Sequence, residues 1–304
     1  MTRLASSLAA LALGIGAALP ALAQSTPDFA KVEIRTTQLA PDFWTLEGAG
    51  GTISMLAGPD GLLLVDSQYA PLTDKLVAAI RRVSDRPIRF LVDTHVHPDH
   101  VGGNANFARL GATIFARDQL RWRLEHPAPA ADGTPGQPAP APALPVVTYN
   151  ASLSIHLGDE DVRLLPVVAA HTDGDTVISF PRHDILAVGD IYRSVGYPYA
   201  DLANGGSLAG MLEGLSEIAD RAGPATRIIP GHGPIVTRDA VLAQRDLILA
   251  LRARIQKLVE QGRTLDEIIA SRPTADIDAS VPQATPVTRD RFVTWVYREV
   301  VANR

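Results

Sequence analysis

Three histidines and an aspartate fall within six residues directly after a short apolar run, and this crowding constrains the fold strongly. The run Ile88–Val92 is β-rich and is bounded by Pro87 and Asp93, which predicts a buried strand. The polar residues that follow it are His95, His97, Asp99 and His100. Imidazole nitrogens together with a carboxylate oxygen suit Zn²⁺ or a similar divalent metal. The sequence therefore predicts a metal-binding loop at a strand end.

Three further candidate ligands stand beside other apolar runs. A strand end suits a metal ligand because the sheet holds the base of the loop rigidly while its tip stays accessible. The three residues are His171, Asp190 and His232, of which the last lies in a Pro-Gly-His-Gly-Pro turn. The remaining histidines lack this context and are predicted to be ordinary surface or core-edge residues, and they are His126, His156 and His183.

Taken in order, these motifs resemble those of the metallo-β-lactamase superfamily of metallohydrolases. The series is His-x-His-x-Asp-His, a lone histidine before Thr-x-Gly, then Gly-Asp, then Gly-His-Gly, and it runs over residues 30–240. The resemblance implies an α+β fold, the four-layer αβ/βα sandwich in which two mixed sheets lie face to face with helices outside. It also implies two Zn²⁺ ions per chain at one edge of the sheets, with iron or manganese as alternatives.

The resemblance assigns each candidate ligand to one of the two metals. The first metal is held by His95, His97 and His171, the second by Asp99, His100 and His232, and Asp190 bridges them. In such a centre a shared water reaches a pKa of about 7 and attacks a carbonyl carbon as hydroxide. Asp99 is then the candidate catalytic residue, which orients the nucleophile or carries its proton to the leaving group. Thr94 and Asp93 are candidates for hydrogen bonds that orient the imidazoles.

Within the superfamily, the residue at the position of Asp190 separates several branches. The best-known secreted β-lactamases carry a cysteine there, whereas this chain contains no cysteine. Five histidines and two aspartates resemble the glyoxalase II, lactonase and phosphodiesterase branches, although the surrounding sequence resembles the secreted β-lactamases. In those β-lactamases a lysine three residues beyond the cysteine binds the β-lactam carboxylate. Arg193 has this spacing and could bind a carboxylate bidentately, and its alternative role is that of a solvated loop cation.

Three functions remain open on the sequence alone. The first is hydrolysis of a β-lactam or a related cyclic amide or ester, favoured by predicted export, the β-lactamase-like context and Arg193. The second is a lactonase, esterase or thioesterase similar to glyoxalase II, favoured by the complete ligand set. Both would act on a small-molecule acyl substrate. The third is an accessory metal-binding protein of a periplasmic oxidation pathway, with little hydrolysis.

The composition is that of an ordinary globular protein. Of the 304 residues 46% are hydrophobic and 20% charged, and the net charge of −5 comes from interspersed charges of both signs. No basic patch with interleaved aromatic residues occurs, so no nucleic-acid partner is predicted. We expect one catalytic domain over residues 24–304, because the candidate ligands span the middle of the chain. It would contain a Pro/Ala-rich loop or insertion at 127–145, either without a role or as a flap, and C-terminal helices over 238–304.

The N-terminus has the pattern of a secretory signal peptide over residues 1–23. Arg3 supplies the positive charge, residues 4–19 form the apolar stretch, and Ala21 and Ala23 form a small-residue cleavage signal. The apolar stretch is barely long enough to span a bilayer, so no membrane anchor is expected after cleavage. The sequence therefore predicts a periplasmic or secreted protein.

We expect cleavage after Ala23, so that the exported protein begins at Gln24. Intact-mass measurement of periplasmic material checks the new N-terminus. An Ala23→Arg variant should keep its leader, because the cleavage site requires a small residue. Recovery of the uncleaved chain from the cytosol would contradict the assignment.

Overall fold

Within residues 27–129 and 133–302, which the computed structural model describes, twelve strands form two mixed sheets. The first sheet has seven strands in the spatial order β1 to β7, namely Arg35–Ala40, Phe43–Glu47, Ile53–Gly58, Gly61–Val65, Ile88–Val92, Thr113–Arg117 and Val147–Tyr149. The second sheet has five strands, β8 to β12, with β12 and β8 at its edges. They are Leu153–Leu157, Glu160–Pro166, Thr176–Phe180, Ile185–Ala187 and Arg227–Ile229.

Eight α-helices connect or follow these strands in the same described part of the chain. They are α1 Thr73–Arg81, α2 Pro98–Val101, α3 Asn104–Arg109, α4 Asp118–Glu125, α5 Leu208–Arg221, α6 Arg238–Glu260, α7 Leu265–Ala270 and α8 Pro286–Ala302. Helix α5 begins at the N-cap Ser207, whose hydroxyl accepts a hydrogen bond from the Gly210 backbone N–H. Helix α7 begins at the capping box formed by Thr264 and Glu267, as its sequence predicts.

The strand β4 shows why the central strands are apolar along their whole length. Its residues Leu62 and Leu64 pack in the cluster that includes Leu76 of α1. The alternate residues Leu63 and Val65 point the other way, into the cluster shared with the second sheet. Side chains alternate between the two faces of a strand, so a strand covered on both faces needs apolar residues at every position.

Three apolar clusters fill the spaces between four layers. The first joins α1 and α3 to the outer face of the seven-stranded sheet, and the second lies between the two sheets. The third joins the five-stranded sheet to α5, α6 and α8. The resulting order of helices, sheet, sheet and helices confirms the α+β sandwich that the motif resemblance implied.

Strand direction brings the candidate ligands to one edge of the sandwich. Strands β4, β5 and β6 run parallel to one another, and β11 runs parallel to β12. The carboxyl ends of parallel strands meet at the same edge of a sheet. Residue Asp66 follows β4, the loop of residues 93–97 follows β5, Asp190 follows β11 and His232 follows β12.

Two segments singled out in the sequence have different outcomes. The predicted signal peptide, residues 1–23, lies outside the described residues. The Pro/Ala-rich segment is described at 127–129 and 133–145, where a 3₁₀ turn at Ala141–Ala143 is the one regular element. Part of it packs on α3, since the Asn104 amide donates a hydrogen bond to the Ala143 carbonyl over 3.3 Å. No helix in the described residues is long and apolar enough to cross a membrane.

The C-terminal helices predicted over 238–304 are present as α6, α7 and α8. The aromatic residues of α8 pack in the core, where Phe292 and Trp295 are at most 2% exposed. The ring of Phe292 stacks on Tyr197, with ring centres 5.0 Å apart, and this contact ties α8 to the segment that follows Asp190.

The substitution Phe292→Ala should lower the free energy of unfolding by about 3–5 kcal/mol, because loss of the buried ring leaves a cavity beside Tyr197. Phe292→Leu should lose less, since it refills part of the space. Chemical denaturation measures both. The matched control is Val287→Ala on the same helix, where the side chain is 50% exposed and a change within about 0.5 kcal/mol is expected. Equal losses for Phe292→Ala and Val287→Ala would contradict the anchoring role.

Candidate metal centre

The histidine-rich loop is shaped by the end of β5 and the start of α2. Residue Pro98 occupies the first turn of α2, where its missing N–H and fixed φ are tolerated, and His97 is the N-cap. The short helix places Asp99 and His100 on its inner side, and the His100 backbone N–H donates a hydrogen bond to the His97 carbonyl over 2.9 Å. Extended backbone before the helix and helical backbone within it turn successive side chains of the motif towards one point.

Four candidate ligands form the first group, His95, His97, His171 and Asp190, and each contributes one donor atom within 4.8 Å of the others. The Nδ1 atom of His97 lies 3.2 Å from Nε2 of His95 and 3.0 Å from Nε2 of His171. The Oδ2 atom of Asp190 lies 3.7 Å from the same His171 nitrogen. The structure thus brings together the three histidines predicted for the first metal.

The second group consists of Asp99, His100 and His232. The Nε2 atom of His232 lies 3.1 Å from Oδ2 of Asp99 and 3.3 Å from Nε2 of His100. The other oxygen of Asp190, Oδ1, lies 3.4 Å from His232 Nε2 and 3.5 Å from His100 Nε2. One carboxylate therefore faces both groups, each with a different oxygen.

Three of the imidazole ligands each have a hydrogen-bond partner on the outer side of the ring, which orients them. The Nδ1 atom of His171 donates to the Tyr199 carbonyl over 2.7 Å, and Nε2 of His97 donates to Asp201 over 2.8 Å. The Nδ1 atom of His95 lies 3.0 Å from the Thr94 hydroxyl, as predicted for Thr94. Because the outward nitrogen of a neutral imidazole is the N–H donor in these bonds, the inward nitrogen carries a lone pair.

Asp66 is the acceptor behind His100, and sequence reasoning missed it. Its Oδ2 lies 2.7 Å from His100 Nδ1, and it also accepts from the backbone N–H and hydroxyl of Thr94 over 2.7 and 2.8 Å. Asp93 was also a candidate to orient an imidazole, but its carboxylate accepts a hydrogen bond from the Asn104 amide instead, over 2.7 Å. Asp66 ends the apolar run of β4 as Asp190 ends its own run, and this signal could have identified it.

Three of the inner groups are held in the protonation states that a cation requires. His100 differs: burial lowers its pKa, but Asp66 and Asp190 outweigh this effect and raise the pKa well above its usual value. Burial lowers the pKa of His95 well below its usual value, and neighbouring imidazoles act in the same direction. Burial likewise lowers the pKa of His171 to about 3. Burial raises the pKa of Asp99, but the hydrogen bond to His232 and the charges of His100 and His232 together outweigh it, and the pKa falls to about 2. Neutral imidazoles and ionised carboxylates are the forms that ligate metals.

Two glycines allow the ligand loops to approach one another. A Cβ atom at Gly51 would overlap the ring of His100, and one at Gly231 would overlap Oδ1 of Asp190. The Gly51 backbone N–H also donates a hydrogen bond to the Asp99 carbonyl over 2.9 Å. Neither position has room for any larger residue.

The donor set fits a pair of divalent cations. Its atoms are imidazole nitrogens and carboxylate oxygens, with no sulfur, which suits zinc, iron or manganese. Asp190 Oδ1 is buried, and no described residue donates a hydrogen bond to it. A buried carboxylate oxygen without a hydrogen bond is costly unless a cation binds it.

Arg193 lies at the edge of this centre. Its Nη1 atom is 3.4 Å from Oδ2 of Asp190, and its side chain is 22% exposed. The three histidines predicted to be ordinary lie apart from the two ligand groups: His126 stacks on Trp122, and His156 pairs with Asp161. The third, His183, is buried at the core edge and hydrogen-bonds to Glu160 and Asp42.

A family model described as the metallo-beta-lactamase superfamily matches residues 47–232, which is more than half of the chain. The chain belongs to the metallo-β-lactamase superfamily, as the ordered motifs predicted. The matched region includes all seven candidate ligands and ends at His232. It leaves out the helices α6, α7 and α8.

Known proteins of two kinds are similar to this chain. The linear primary-alkylsulfatase of Pseudomonas sp. (strain ATCC 19151) is 42% identical over 50 residues, which are 16% of this chain and 10% of that protein. A metallo-beta-lactamase type 2 of Bacillus cereus is 24% identical over 194 residues, which are 62% of this chain and 69% of that protein.

Among solved structures, the stereoselective inverting sec-alkylsulfatase Pisa1 from Pseudomonas sp. matches with a TM-score of 0.65 at 17% identity. The match covers 87% of this chain and 50% of that chain. At this identity the likeness is one of fold alone. The chain spans a tenth of the first alkylsulfatase and half of the second.

Asp66→Ala should weaken zinc binding by about 10- to 100-fold, because it removes the acceptor that orients His100. Competition with a chromogenic chelator measures the affinity without any substrate. The zinc affinity of Asp66→Asn should lie between those of the wild type and Asp66→Ala, since an amide keeps one acceptor oxygen. The matched control is Asp60→Ala in the exposed β3–β4 turn, which should bind zinc as the wild type does. Wild-type affinity in Asp66→Ala would show that Asp66 does not position the ligand.

Proposed function

We propose that this chain is a dinuclear metal-dependent hydrolase that attacks a small-molecule substrate with hydroxide. The observation that carries the proposal is Asp190, whose two oxygens face two separate ligand groups. A site for a single metal does not require a carboxylate that directs one oxygen towards each of two ligand groups. Two bound zinc ions, or iron or manganese in their place, would lower the pKa of a shared water to about 7 and polarise the scissile group.

The chain's own residues would then handle the proton and the substrate. The side chain of Asp99 is 21% exposed and its carboxylate is ionised, so it can accept the proton of the attacking water. The same carboxylate can return that proton to the leaving nitrogen or oxygen. Asp190 stays ionised because the charges of His232 and Arg193 outweigh burial, which by itself raises its pKa.

A β-lactam or a related cyclic amide or ester is the first candidate substrate. The position of Arg193 supports it, since a guanidinium beside the centre can receive a carboxylate next to the scissile carbonyl. The relative from Bacillus cereus, which carries the name metallo-beta-lactamase, aligns over 62% of this chain. Lactones, simple esters and thioesters remain alternatives, because the same attack applies to each. The predicted leader would place the reaction in the periplasm or outside the cell.

Alkyl sulfates are a second candidate class of substrate. The specific observation is that the sec-alkylsulfatase structure matches 87% of this chain, so the match extends beyond the region of the family model. A sulfate ester also carries its negative charge at the reacting group itself. The same arginine could therefore receive either kind of anion.

Purified protein should contain close to two zinc, iron or manganese ions per chain by elemental analysis. The substrate test compares a chromogenic cephalosporin, a lactone, an aryl ester and a secondary alkyl sulfate, each with and without a chelator. Asp190→Ala should lower turnover of the preferred substrate by about two to three orders of magnitude, because it removes the carboxylate that faces both ligand groups.

The matched control is Asp85→Ala, an exposed aspartate before β5, which should keep wild-type turnover. Full activity in the chelator would contradict the metal-dependent mechanism. Two metals with no turnover of any substrate would favour an accessory metal-binding role.

A further inference from the structure

Arg291 reaches the edge of the candidate metal centre from α8, a helix that supplies none of the candidate ligands. Its guanidinium carbon lies 4.3 Å from the centre of the Tyr199 ring. The carbonyl of Tyr199 accepts the hydrogen bond from His171 that orients this ligand, over 2.7 Å. Tyr199 therefore contacts both Arg291 and the candidate ligand His171.

The packing of α8 fixes this position. Phe292 stacks on Tyr197, and the residue before it on the helix, Arg291, lies over Tyr199, two residues further along the facing segment. Two neighbouring pairs thus hold the helix and the segment in register. Because Phe292 is fully buried, the backbone that carries Arg291 is held firmly.

The two arginines of this edge act on each other electrostatically. Burial lowers the pKa of Arg291 and the positive charge of Arg193 acts in the same direction, whereas Tyr199, Asp190 and Asp201 act against it. Geometry places both arginines at the same edge. Arg193 Nη1 lies 3.4 Å from the Asp190 oxygen that is 3.7 Å from His171 Nε2, and Arg291 lies over Tyr199, whose carbonyl accepts from His171 Nδ1.

Both guanidinium groups have hydrogen-bond donors without acceptors. The Nε atoms of Arg193 and Arg291 are buried and, within the described parts of the chain, no acceptor reaches either of them. Arg193 has one contact with Asp190 at 3.4 Å, which is long for an ion pair of this kind. Buried cationic donors without acceptors at one edge of a site are unfavourable unless an anion binds them.

We propose that Arg193 and Arg291 form a two-arginine subsite for an oxyanion of the substrate, either a carboxylate or a sulfate. The inference rests on the proposed function for the reaction that follows, but it concerns binding only. A guanidinium stays charged at all relevant pH values and offers several donors in one plane, so two of them can surround an oxyanion from two sides.

The test titrates inorganic sulfate and acetate into the zinc-loaded full chain by calorimetry. Arg291→Ala and Arg193→Ala should each raise the Kd for the bound anion about tenfold or more, because each removes charge-assisted hydrogen bonds. Arg291→Lys should raise it less, since the charge remains while the planar donors are lost. The matched control is Arg245→Ala on α6, whose ion-pair partner is its neighbour Asp246, and its Kd should equal that of the wild type.

Two arms of the titration identify the anion. Dependence of the sulfate Kd on both arginines, with acetate depending on Arg193 alone, would assign the subsite to a sulfate ester. Dependence of the acetate Kd on both would assign it to a carboxylate. An Arg291→Ala chain that binds both anions as the wild type does would overturn the proposal, as would a wild-type chain that binds neither.

Folding and function are separated within the same experiment. If Arg291→Ala is not folded by circular dichroism, Arg291→Gln repeats the titration, because it keeps most of the side-chain length and removes the charge. The titration needs no turnover. A sulfate Kd that depends on Arg291 in a chain without hydrolytic activity would refute the proposed function and leave the subsite standing.

Discussion

The apolar layer between the two sheets is the constraint on which the candidate metal centre depends. Strands β4, β5, β11 and β12 all contribute buried residues to this layer, and a ligand or a residue that orients one follows each of them. Interiors of this kind are packed like crystals and transmit small displacements. How the sheets pack therefore holds the donor atoms of each group within 4.8 Å of one another, some as close as 3.0 Å.

The same packing explains how so many like groups are tolerated in one place. His95, His100 and His171 are each at most 1% exposed, so water cannot satisfy their ring nitrogens. Hydrogen bonds from behind satisfy one nitrogen of each ring, and the other is left pointing inward. Unpaired polar atoms in a buried place lower stability, so the inward nitrogens and Asp190 Oδ1 indicate a functional site.

The seven candidate ligands were predictable because each stands in a short local pattern beside an apolar run. The His-x-His spacing identifies His95 and His97, and the surrounding glycines and prolines identify His232. Asp66 and Asp201 were not predicted, because each acts through a partner far away in sequence: 34 residues separate Asp66 from His100, and 104 separate Asp201 from His97. Arg291 was hidden for the same reason, since the buried aromatic stripe dominates the pattern of α8. The four-layer fold followed from the motif resemblance, whereas the pairing of Tyr197 with Phe292 depends on tertiary packing.

The position of α8 has a consequence for how such a chain can diverge. Its Phe292 and Arg291 pack on Tyr197 and Tyr199 in the segment behind His171, yet every candidate metal ligand lies before this helix in the chain, within residues 95–232. Substitutions on the exposed face of this helix therefore escape the demand for exact ligand geometry that restricts the loops. The last quarter of the chain can accumulate change while the candidate metal ligands stay in place, and new selectivity can evolve there without any change to those ligands.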